Sequence, residues 1–253
     1  MPLLSHAAPA APRHAMLLAA GLGARMRPLT AHTAKPLLQL DGRPLLDHAL
    51  DRLEAAGVAR VVVNAHWQAD RVAAHLAAHP RAARLAVRRE ESLLDTGGAV
   101  AAARADGLLG DGPFFVVNGD NYWLDGPAPT LDRMADAFRR TGADAVLLMH
   151  RTCAVHAETG RGDFVIDGWG VPRRPAEGEI APFLYAGLQL LAPALFRDPP
   201  GPRFSMNLLW DRAIAAGRLR ALVHDGLWFH VSRPDDLAEA EHALLEQRTG
   251  ETR

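Results

Sequence analysis

The stretch Leu17–Thr30 reads LLAAGLGARMRPLT, and Lys35-Pro36-Leu37 follows shortly after it. A short apolar run ends in a glycine turn, and cationic side chains come directly behind that turn. Glycines let backbone N–H groups approach a ligand closely and accept conformations that a Cβ would forbid. Successive N–H groups in such a turn form a concave anion site, which cationic side chains complete. The stretch therefore predicts a polyphosphate site, although the glycines alone would also fit a plain strand-to-helix connection.

Two familiar phosphate loops do not fit this glycine turn. The dinucleotide fingerprint needs glycine at its first, third and sixth positions, and Met26 stands where the third glycine should be. Asp41 precedes the next predicted strand rather than ending it, so it is not placed as a ribose carboxylate. The P-loop lysine, which directly follows a glycine and precedes Ser or Thr, is also absent. These patterns exclude a Rossmann dinucleotide loop and a Walker-type loop.

The segment resembles the signature of the sugar-1-phosphate nucleotidyltransferases. In that family an apolar strand is followed by A-G-x-G-x-R, then by R-P-L-T and K-P-L, and all of these elements are present. The resemblance implies transfer of a nucleotidyl group from a nucleoside triphosphate to a sugar 1-phosphate, with Mg²⁺ as cofactor and Mn²⁺ as the alternative. It implies that Arg25 stabilises the leaving pyrophosphate and that Lys35 bridges the two reacting phosphates. It also implies nucleotide contacts from four residues of the turn: Ala19, Ala20, Gly21 and Gly23.

Length and composition narrow the class of protein. The chain has 253 residues, 49% of them hydrophobic, which is enough for one large α/β domain. Its 28 basic and 29 acidic residues give a net charge of −1, so no global field favours nucleic acid or an anionic membrane. The single cysteine, Cys153, excludes an intrachain disulfide. We expect a cytoplasmic protein, a monomer or small homo-oligomer, whose partners are a nucleoside triphosphate and a sugar 1-phosphate.

The pattern of elements predicts one α/β domain. Residues 1–13 are rich in Ala and Pro and are predicted to be a disordered tail, and 14–253 a single nucleotidyltransferase domain. Apolar strand-like runs alternate with helical stretches in the first half, which favours βαβ units and a mainly parallel sheet. The strands are expected at 15–19, 60–64, 85–89, 114–118 and 145–150, and the helices at 44–56, 69–78, 98–105 and 130–140. We therefore predict a Rossmann-like, three-layer fold with a smaller β-rich sugar-binding lobe. The second half is expected to contain strands at 163–167, 184–191 and 219–223 and helices at 206–216 and 234–247.

Asp120 is the candidate metal ligand. The run Phe114–Asp120 is a buried-type strand that ends in Asn-Gly-Asp, so it places a carboxylate at the ligand edge of the sheet. A hard oxygen ligand there suits Mg²⁺, which commonly uses one or two protein carboxylates plus substrate phosphates. In the resembled family the matching aspartate holds the metal, and Asn118 is expected to contact the nucleotide. The same three residues would also make an ordinary turn.

His230 departs from the family pattern. The family supplies a second metal carboxylate from a late W-x-D segment, and here the segment reads Trp228-Phe229-His230. Imidazole is a poor Mg²⁺ ligand and suits softer metals. Three outcomes are open: Asp120 acts with substrate oxygens, a different metal binds, or activity is reduced. A shifted alignment would bring in Asp225 instead.

Two further segments are assigned to the substrates through the resemblance. The first is the base-recognition loop, where Thr96 is expected to cap a helix and Gly97 and Gly98 to let a flat base lie on the backbone, unless the segment is only a helix start. The second comprises the sugar-side elements Gly160–Phe164, with Gly162 close to the sugar hydroxyls, and Tyr185-Ala186-Gly187. Gly162, Tyr185 and Gly187 are thus the candidate sugar-binding residues.

The resemblance is closest to the branch acting on N-acetylmuramate 1-phosphate or mannose 1-phosphate. We expect N-acetylmuramate 1-phosphate and UTP as substrates, giving UDP-N-acetylmuramate in cell-wall recycling. The alternatives are a mannose-1-phosphate guanylyltransferase that uses GTP, or a catalytically weakened regulatory protein that binds nucleotide sugars. The departure at His230 keeps the last alternative open.

Overall fold

The strands lie along the whole chain in the computed structural model, which describes residues 11–155 and 161–249. In chain order the longer strands are β1 (His14–Leu18), β4 (Arg60–Ala65), β5 (Leu85–Arg89), β6 (Phe114–Asn118), β7 (Asn121–Leu124), β8 (Ala145–Arg151), β11 (Phe183–Leu191), β12 (Leu219–Val223) and β13 (Leu227–His230). The two-residue strands are β2 (Gln39–Leu40), β3 (Arg43–Pro44), β9 (Val165–Ile166) and β10 (Pro172–Arg173).

The helices connect these strands and agree with the predicted helical stretches to within a few residues. They are α1 (Leu45–Ala55), α2 (Ala69–Ala78), α3 (Asp95–Ala105), α4 (Thr130–Thr141), α5 (Asn207–Ala215) and α6 (Pro234–Thr249). Short 3₁₀ turns cover Ala24–Met26 and Lys35–Leu37 inside the sequence signature. In the described ranges no helix is long and apolar enough to cross a membrane.

A seven-stranded sheet in the order β12-β8-β11-β6-β1-β4-β5 forms the centre of the molecule. The pairs β1–β4, β1–β6, β4–β5 and β8–β12 are parallel, whereas β11 runs antiparallel to both of its neighbours. Ala15, Met16 and Leu17 of β1 are fully buried, as expected for a strand covered on both faces. The prediction of an α/β fold with a mainly parallel sheet is confirmed.

Helices cover both faces of this sheet and give the three predicted layers. Helices α1, α2 and α4 pack on the face that carries Ala15 and Leu17, whereas α3 and α5 pack on the opposite face with Met16. Alternate residues of β1 thus belong to different cores, as the period of a strand requires. The carboxyl ends of β1, β4 and β6 then lie together at one edge.

The three strands predicted in the second half lie in different sheets. The runs 184–191 and 219–223 form β11 and β12 of the main sheet. What lies outside that sheet is a set of two-stranded pairs, β9–β10, β7–β13 and β2–β3. The run 163–167 contributes only β9 and one isolated bridge at Phe164. The aliphatic character of β11 belongs to the central core rather than to a separate lobe.

The predicted disordered tail is corrected at its end. Residues 1–10 lie outside the described residues, but Arg13 does not belong to a disordered segment. Its carbonyl oxygen accepts hydrogen bonds from the N–H groups of Ala59 at 2.8 Å and Arg60 at 3.2 Å. These bonds extend the pairing between β1 and β4.

Candidate active site

A cavity of about 360 Å³ opens at the carboxyl ends of β1, β4 and β6. It lies where ligands bind in open α/β sheets. The sequence-predicted residues that line it are Ala19, Ala20, Gly21, Lys35, Thr96, Asn118 and Asp120. Segments that are distant in the sequence are thus brought together around one cavity.

The glycine turn is held in place by side chains on its outer side. Gly23 adopts a left-handed conformation, with φ of 61°, and its carbonyl oxygen accepts a hydrogen bond from Thr30 Oγ1 at 2.7 Å. Trp67 Nε1 donates to the carbonyl oxygen of Thr30 at 3.1 Å. A Cβ on Gly21 would meet nothing within 4 Å, so packing does not require glycine there. Hydrogen bonds through Thr30 therefore hold the turn at Gly23, whereas the space beside Gly21 is open.

The backbone N–H of Ala19 already donates a hydrogen bond within the protein. Its N–H donates to Asn64 Oδ1 at 2.8 Å, so Ala19 does not present a free backbone donor to a phosphate. In contrast to the expectation that the whole turn offers its N–H groups, Ala19 faces the cavity with its other atoms.

Lys35, Asp120 and His230 form a charged cluster beside the turn. Lys35 Nζ lies 2.7 Å from Asp120 Oδ2, and His230 Nε2 lies 3.4 Å from the same oxygen. Burial raises the pKa of the Asp120 carboxyl, but the hydrogen bond from His230 and the charge of Lys35 outweigh it and hold that pKa well below its usual range. Asp120 is therefore ionised, with its charge partly balanced by Lys35.

The late strand reaches the position that the resemblance implied. In the pair β7–β13, His230 is opposite Asn121, and the N–H of Val231 donates to the carbonyl oxygen of Asp120 at 3.0 Å. Asp225 precedes the other end of β13 and pairs with Arg133 of α4. The shifted alignment that would bring Asp225 to Asp120 is therefore wrong.

The ligand atoms around Asp120 fit a metal ion that takes most of its ligands from the substrate. Among the described residues Asp120 Oδ1 is buried and has no hydrogen-bond partner, whereas Oδ2 is occupied by Lys35 and His230. No group of three or more His, Cys, Asp or Glu side chains in the described residues is arranged to hold a metal ion. One free carboxylate oxygen suits Mg²⁺ that takes its remaining ligands from substrate phosphates and water.

Arg25 and Arg203 are placed differently from what the sequence suggested. Arg25 is exposed on the 3₁₀ turn Ala24–Met26 and does not line the cavity. Arg203, which sequence reasoning missed, is among the residues that line it. Arg203 precedes Phe204 and Met206, which pack into the core, and no motif marks it.

The structure changes the reasons given for Thr96, Gly97 and Gly98. Helix α3 begins at Asp95, and Thr96 Oγ1 accepts a hydrogen bond from the N–H of Met206 at 2.9 Å, so Thr96 does not cap the helix. A Cβ on Gly97 would lie 2.4 Å from the ring of Phe204, and one on Gly98 would lie 2.4 Å from the Pro202 carbonyl oxygen. Close packing on the segment 202–206, rather than approach of a base, accounts for both glycines.

A second cavity of about 240 Å³ adjoins the first and shares Asp95, Thr96 and Asn118 with it. Tyr185 lines it, with its ring 4.6 Å from that of Trp210. Its hydroxyl is buried and has no hydrogen-bond partner in the described part of the chain. Burial raises the pKa of the Tyr185 hydroxyl, and the charge of Asp120 adds to this, so the group is a hydrogen-bond donor at any physiological pH.

Gly162 and Gly187 shape the backbone near the second cavity without lining it. Both have positive φ, and a Cβ would lie 2.3 Å from the Ala181 carbonyl oxygen at Gly162 and 1.4 Å from Asn121 Nδ2 at Gly187. Gly187 also sits at the irregularity between β11 and β8. The atoms that lie close to these two glycines are thus protein atoms. Gly160 lies outside the described residues.

Sequence reasoning also missed two buried polar residues that line the first cavity, Asn64 and Glu90. A signal for Asn64 was present. Asn64 and Asn118 lie in register on either side of Leu18, each near the end of an apolar strand. Because parallel strands end at one edge, a polar residue that closes an otherwise apolar strand is a candidate for the ligand edge.

Comparisons with known proteins agree with this geometry. The profile of the MobA-like NTP transferase domain matches residues 15–236. The chain is 40% identical over 240 residues, 93% of its length and 98% of the relative's, to the N-acetylmuramate alpha-1-phosphate uridylyltransferase of Caulobacter vibrioides. It is 25% identical to the mannose-1-phosphate guanyltransferase of Emericella nidulans over 88% of this chain and 61% of that protein. A UDP-glucose pyrophosphorylase complexed with UDP-glucose has the same fold, with a TM-score of 0.77, 18% identity and coverage of 94% and 100%.

The chain belongs to the MobA-like NTP transferase family. It is a sugar-1-phosphate nucleotidyltransferase, as the signature around Gly21 predicted.

Proposed function

We propose that this protein transfers the uridylyl group of UTP to N-acetylmuramate 1-phosphate, with release of pyrophosphate. The observation that carries the proposal is the cluster at the cavity edge, where Lys35 contacts an ionised Asp120 that keeps one carboxylate oxygen free. The choice of sugar and base rests on the 40% identity to the Caulobacter uridylyltransferase over nearly the full length of both chains. The reaction would belong to cell-wall recycling in the cytoplasm.

The two adjoining cavities support a two-substrate reaction. The first is bordered by the glycine turn and the start of α3, and the second by Tyr185 and Trp210. Their shared residues, Thr96 and Asn118 among them, mark the border where the reacting phosphates would meet. Holding both substrates across this border supplies the proximity that such a transfer needs.

The chain's own residues would act by positioning and charge. The attacking phosphate oxygen is already anionic, so no general base is needed. Lys35 would contact both reacting phosphates, and Arg25 and Arg203 would add positive charge. Because Arg25 lies outside the cavity lining, its predicted contact with the leaving pyrophosphate requires the open turn to close over the triphosphate.

Asp120 would hold the metal through the Oδ1 atom that has no hydrogen-bond partner. Mg²⁺ bound there would offset negative charge on the reacting phosphate. His230 contacts Asp120 Oδ2 and would hold the carboxylate in place instead of ligating Mg²⁺.

Pyrophosphate release tests this proposal. The purified protein is assayed with N-acetylmuramate, N-acetylglucosamine, mannose and glucose 1-phosphates against UTP and GTP, in Mg²⁺ and in Mn²⁺. We expect the highest kcat/KM with UTP and N-acetylmuramate 1-phosphate, by about tenfold or more over any other pair. Preference for GTP with mannose 1-phosphate would establish the guanylyltransferase instead. Nucleotide binding without turnover of any pair would favour a regulatory protein.

A further inference from the structure

Asn64 and Glu90 join two sides of the first cavity through a buried chain of hydrogen bonds. The N–H of Ala19 donates to Asn64 Oδ1 at 2.8 Å, and Asn64 Nδ2 donates to Glu90 Oε1 at 2.7 Å. The N–H of Leu94 then donates to Glu90 Oε2 at 3.3 Å. Asn64 and Glu90 are 3% and 7% exposed. The chain therefore runs from the glycine turn, through β4, to the start of α3.

The two ends of this chain fix the chemistry of its middle. Both ends are backbone N–H donors, so the side-chain atoms that meet Ala19 and Leu94 must be acceptors. The two remaining atoms face each other, and one must donate while the other accepts. One amide and one carboxylate satisfy this requirement. Two amides leave two donors in contact, and two carboxylates leave two anions in contact.

The carboxylate of Glu90 is otherwise difficult to explain at this place. Within the described ranges it forms no ion pair, and it lies beside a cavity predicted to take a triphosphate. A buried carboxylate there is costly through desolvation and repels an anionic ligand. Glutamine would avoid both effects, but its amide nitrogen would oppose a donor. The need for an acceptor at both ends of the chain therefore accounts for the carboxylate.

We propose that Asn64 and Glu90 are a matched positioning pair that sets the distance between the glycine turn and the start of α3, the two sides between which the nucleotide lies. The inference rests on the proposed nucleotidyl transfer. It assigns the pair no contact with the ligand: their effect passes through the backbones of Ala19 and Leu94.

Exchanging the two groups tests the pair. Glu90→Gln and Asn64→Asp each break the donor–acceptor match, whereas the double variant N64D/E90Q restores it with the same net charge. UTP affinity is measured by calorimetry, the KM and kcat of transfer by pyrophosphate release, and folding by thermal unfolding. We expect each single variant to weaken UTP binding about tenfold, as for loss of a buried hydrogen bond, and to raise KM more than it lowers kcat. We expect the double variant to bind UTP within about threefold of the original protein.

Glu91→Gln is the matched control, because Glu91 is the exposed neighbour of Glu90 and does not line the cavity. It should bind UTP like the original protein. A double variant that binds no better than the weaker single variant would overturn the proposal and assign the Glu90 carboxylate to the ligand itself. Single variants that lose only thermal stability, with unchanged UTP affinity, would also overturn it. If a single variant does not fold, the UTP affinity of the double variant decides.

The affinity measurement separates this inference from the proposed reaction. If the protein binds UTP but catalyses no transfer, the proposed function is wrong. The effect of exchanging the amide and the carboxylate can still be measured as UTP affinity. If the original protein catalyses the transfer but the double variant does not regain UTP affinity, the proposed function stands and only the positioning pair is wrong.

Discussion

Lys35 is the only lysine in the sequence, which otherwise uses arginine for its basic side chains. It is 12% exposed and bonded to Asp120, so its ammonium group is fixed in the lining of the first cavity. Lys35→Ala should lower kcat by about a hundredfold or more, since it removes a charge contact to the transition state. Pyrophosphate release by a folded variant measures this. Arg84→Ala, at an exposed salt bridge, is the control, and near-normal turnover of Lys35→Ala would contradict the assignment.

Replacing Lys35 by arginine keeps the positive charge but should not preserve turnover. Arginine presents a planar fork that binds both oxygens of a carboxylate, whereas lysine is a point charge. In Lys35→Arg the fork would engage Asp120 Oδ1 as well as Oδ2 and so occupy the oxygen that is free for a metal. We expect kcat to stay about tenfold or more below that of the original protein. The same loss at every Mg²⁺ concentration would argue against competition with the metal.

His230 allows a direct test of the metal's surroundings. His230→Asp places a second carboxylate next to Asp120, where the family pattern has one. Because Mg²⁺ prefers carboxylate oxygens to imidazole, the Mg²⁺ concentration for half-maximal rate should fall by about threefold or more. The rate is measured over a Mg²⁺ titration at saturating substrates. An unchanged titration curve would show that residue 230 does not approach the metal.

At the scale of elements, the contact between α3 and the segment 202–206 positions Arg203 at the cavity. Gly98→Ala should weaken it, because the added Cβ would lie 2.4 Å from the Pro202 carbonyl oxygen. In an exposed helix the same change would stabilise by about 1 kcal/mol. Here we expect a loss of about 1–3 kcal/mol in the free energy of unfolding, measured by denaturant titration. Gly112→Ala, with open space around its Cβ, is the control and should be nearly neutral; a stabilised Gly98→Ala would refute the packing role.

The elements show which features the sequence could predict. Strands β5 and β6 and helix α2 have the predicted bounds. The apolar run of β6 lies between Pro113 and Gly119, and α2 ends shortly before Pro80, so turn residues mark these limits in the sequence. The site residues around Gly21, Lys35 and Asp120 came from a motif. Strand β11 was predicted as a strand, but its place in the main sheet was not, because an aliphatic run does not tell which sheet it joins. Arg203 and Glu90 escaped because only the fold brings them to the cavity, whereas Asn64 lies near the end of an apolar strand and carried a signal that was missed.

At the scale of the whole molecule, stability depends on histidines that are buried uncharged. His150 is 7% exposed, with its ring 5.3 Å from that of Trp228 and 6.1 Å from that of His224. Burial lowers the pKa of His150 to about 4, and His224 and Arg151 add to the effect despite a hydrogen bond with the backbone of Ala154. Burial also lowers the pKa of His79 and that of His14. Folding therefore excludes protons that the unfolded chain would bind.

This exclusion predicts how stability depends on pH. Between pH 6.5 and about 4 the unfolded chain binds more protons at His150 than the folded chain does, so the free energy of unfolding should fall as the pH is lowered. The contribution of uncharged His150 to the free energy of unfolding is complete above pH 6.5 and lost below about pH 4. Asp120, whose pKa is lowered, acts in a more acidic range, so the two effects separate. Urea unfolding at a series of pH values measures the slope, and His150→Gln should make it shallower, with His14 and His79 supplying the remainder. A slope unchanged in His150→Gln would show that this buried histidine does not control the acid sensitivity of the fold.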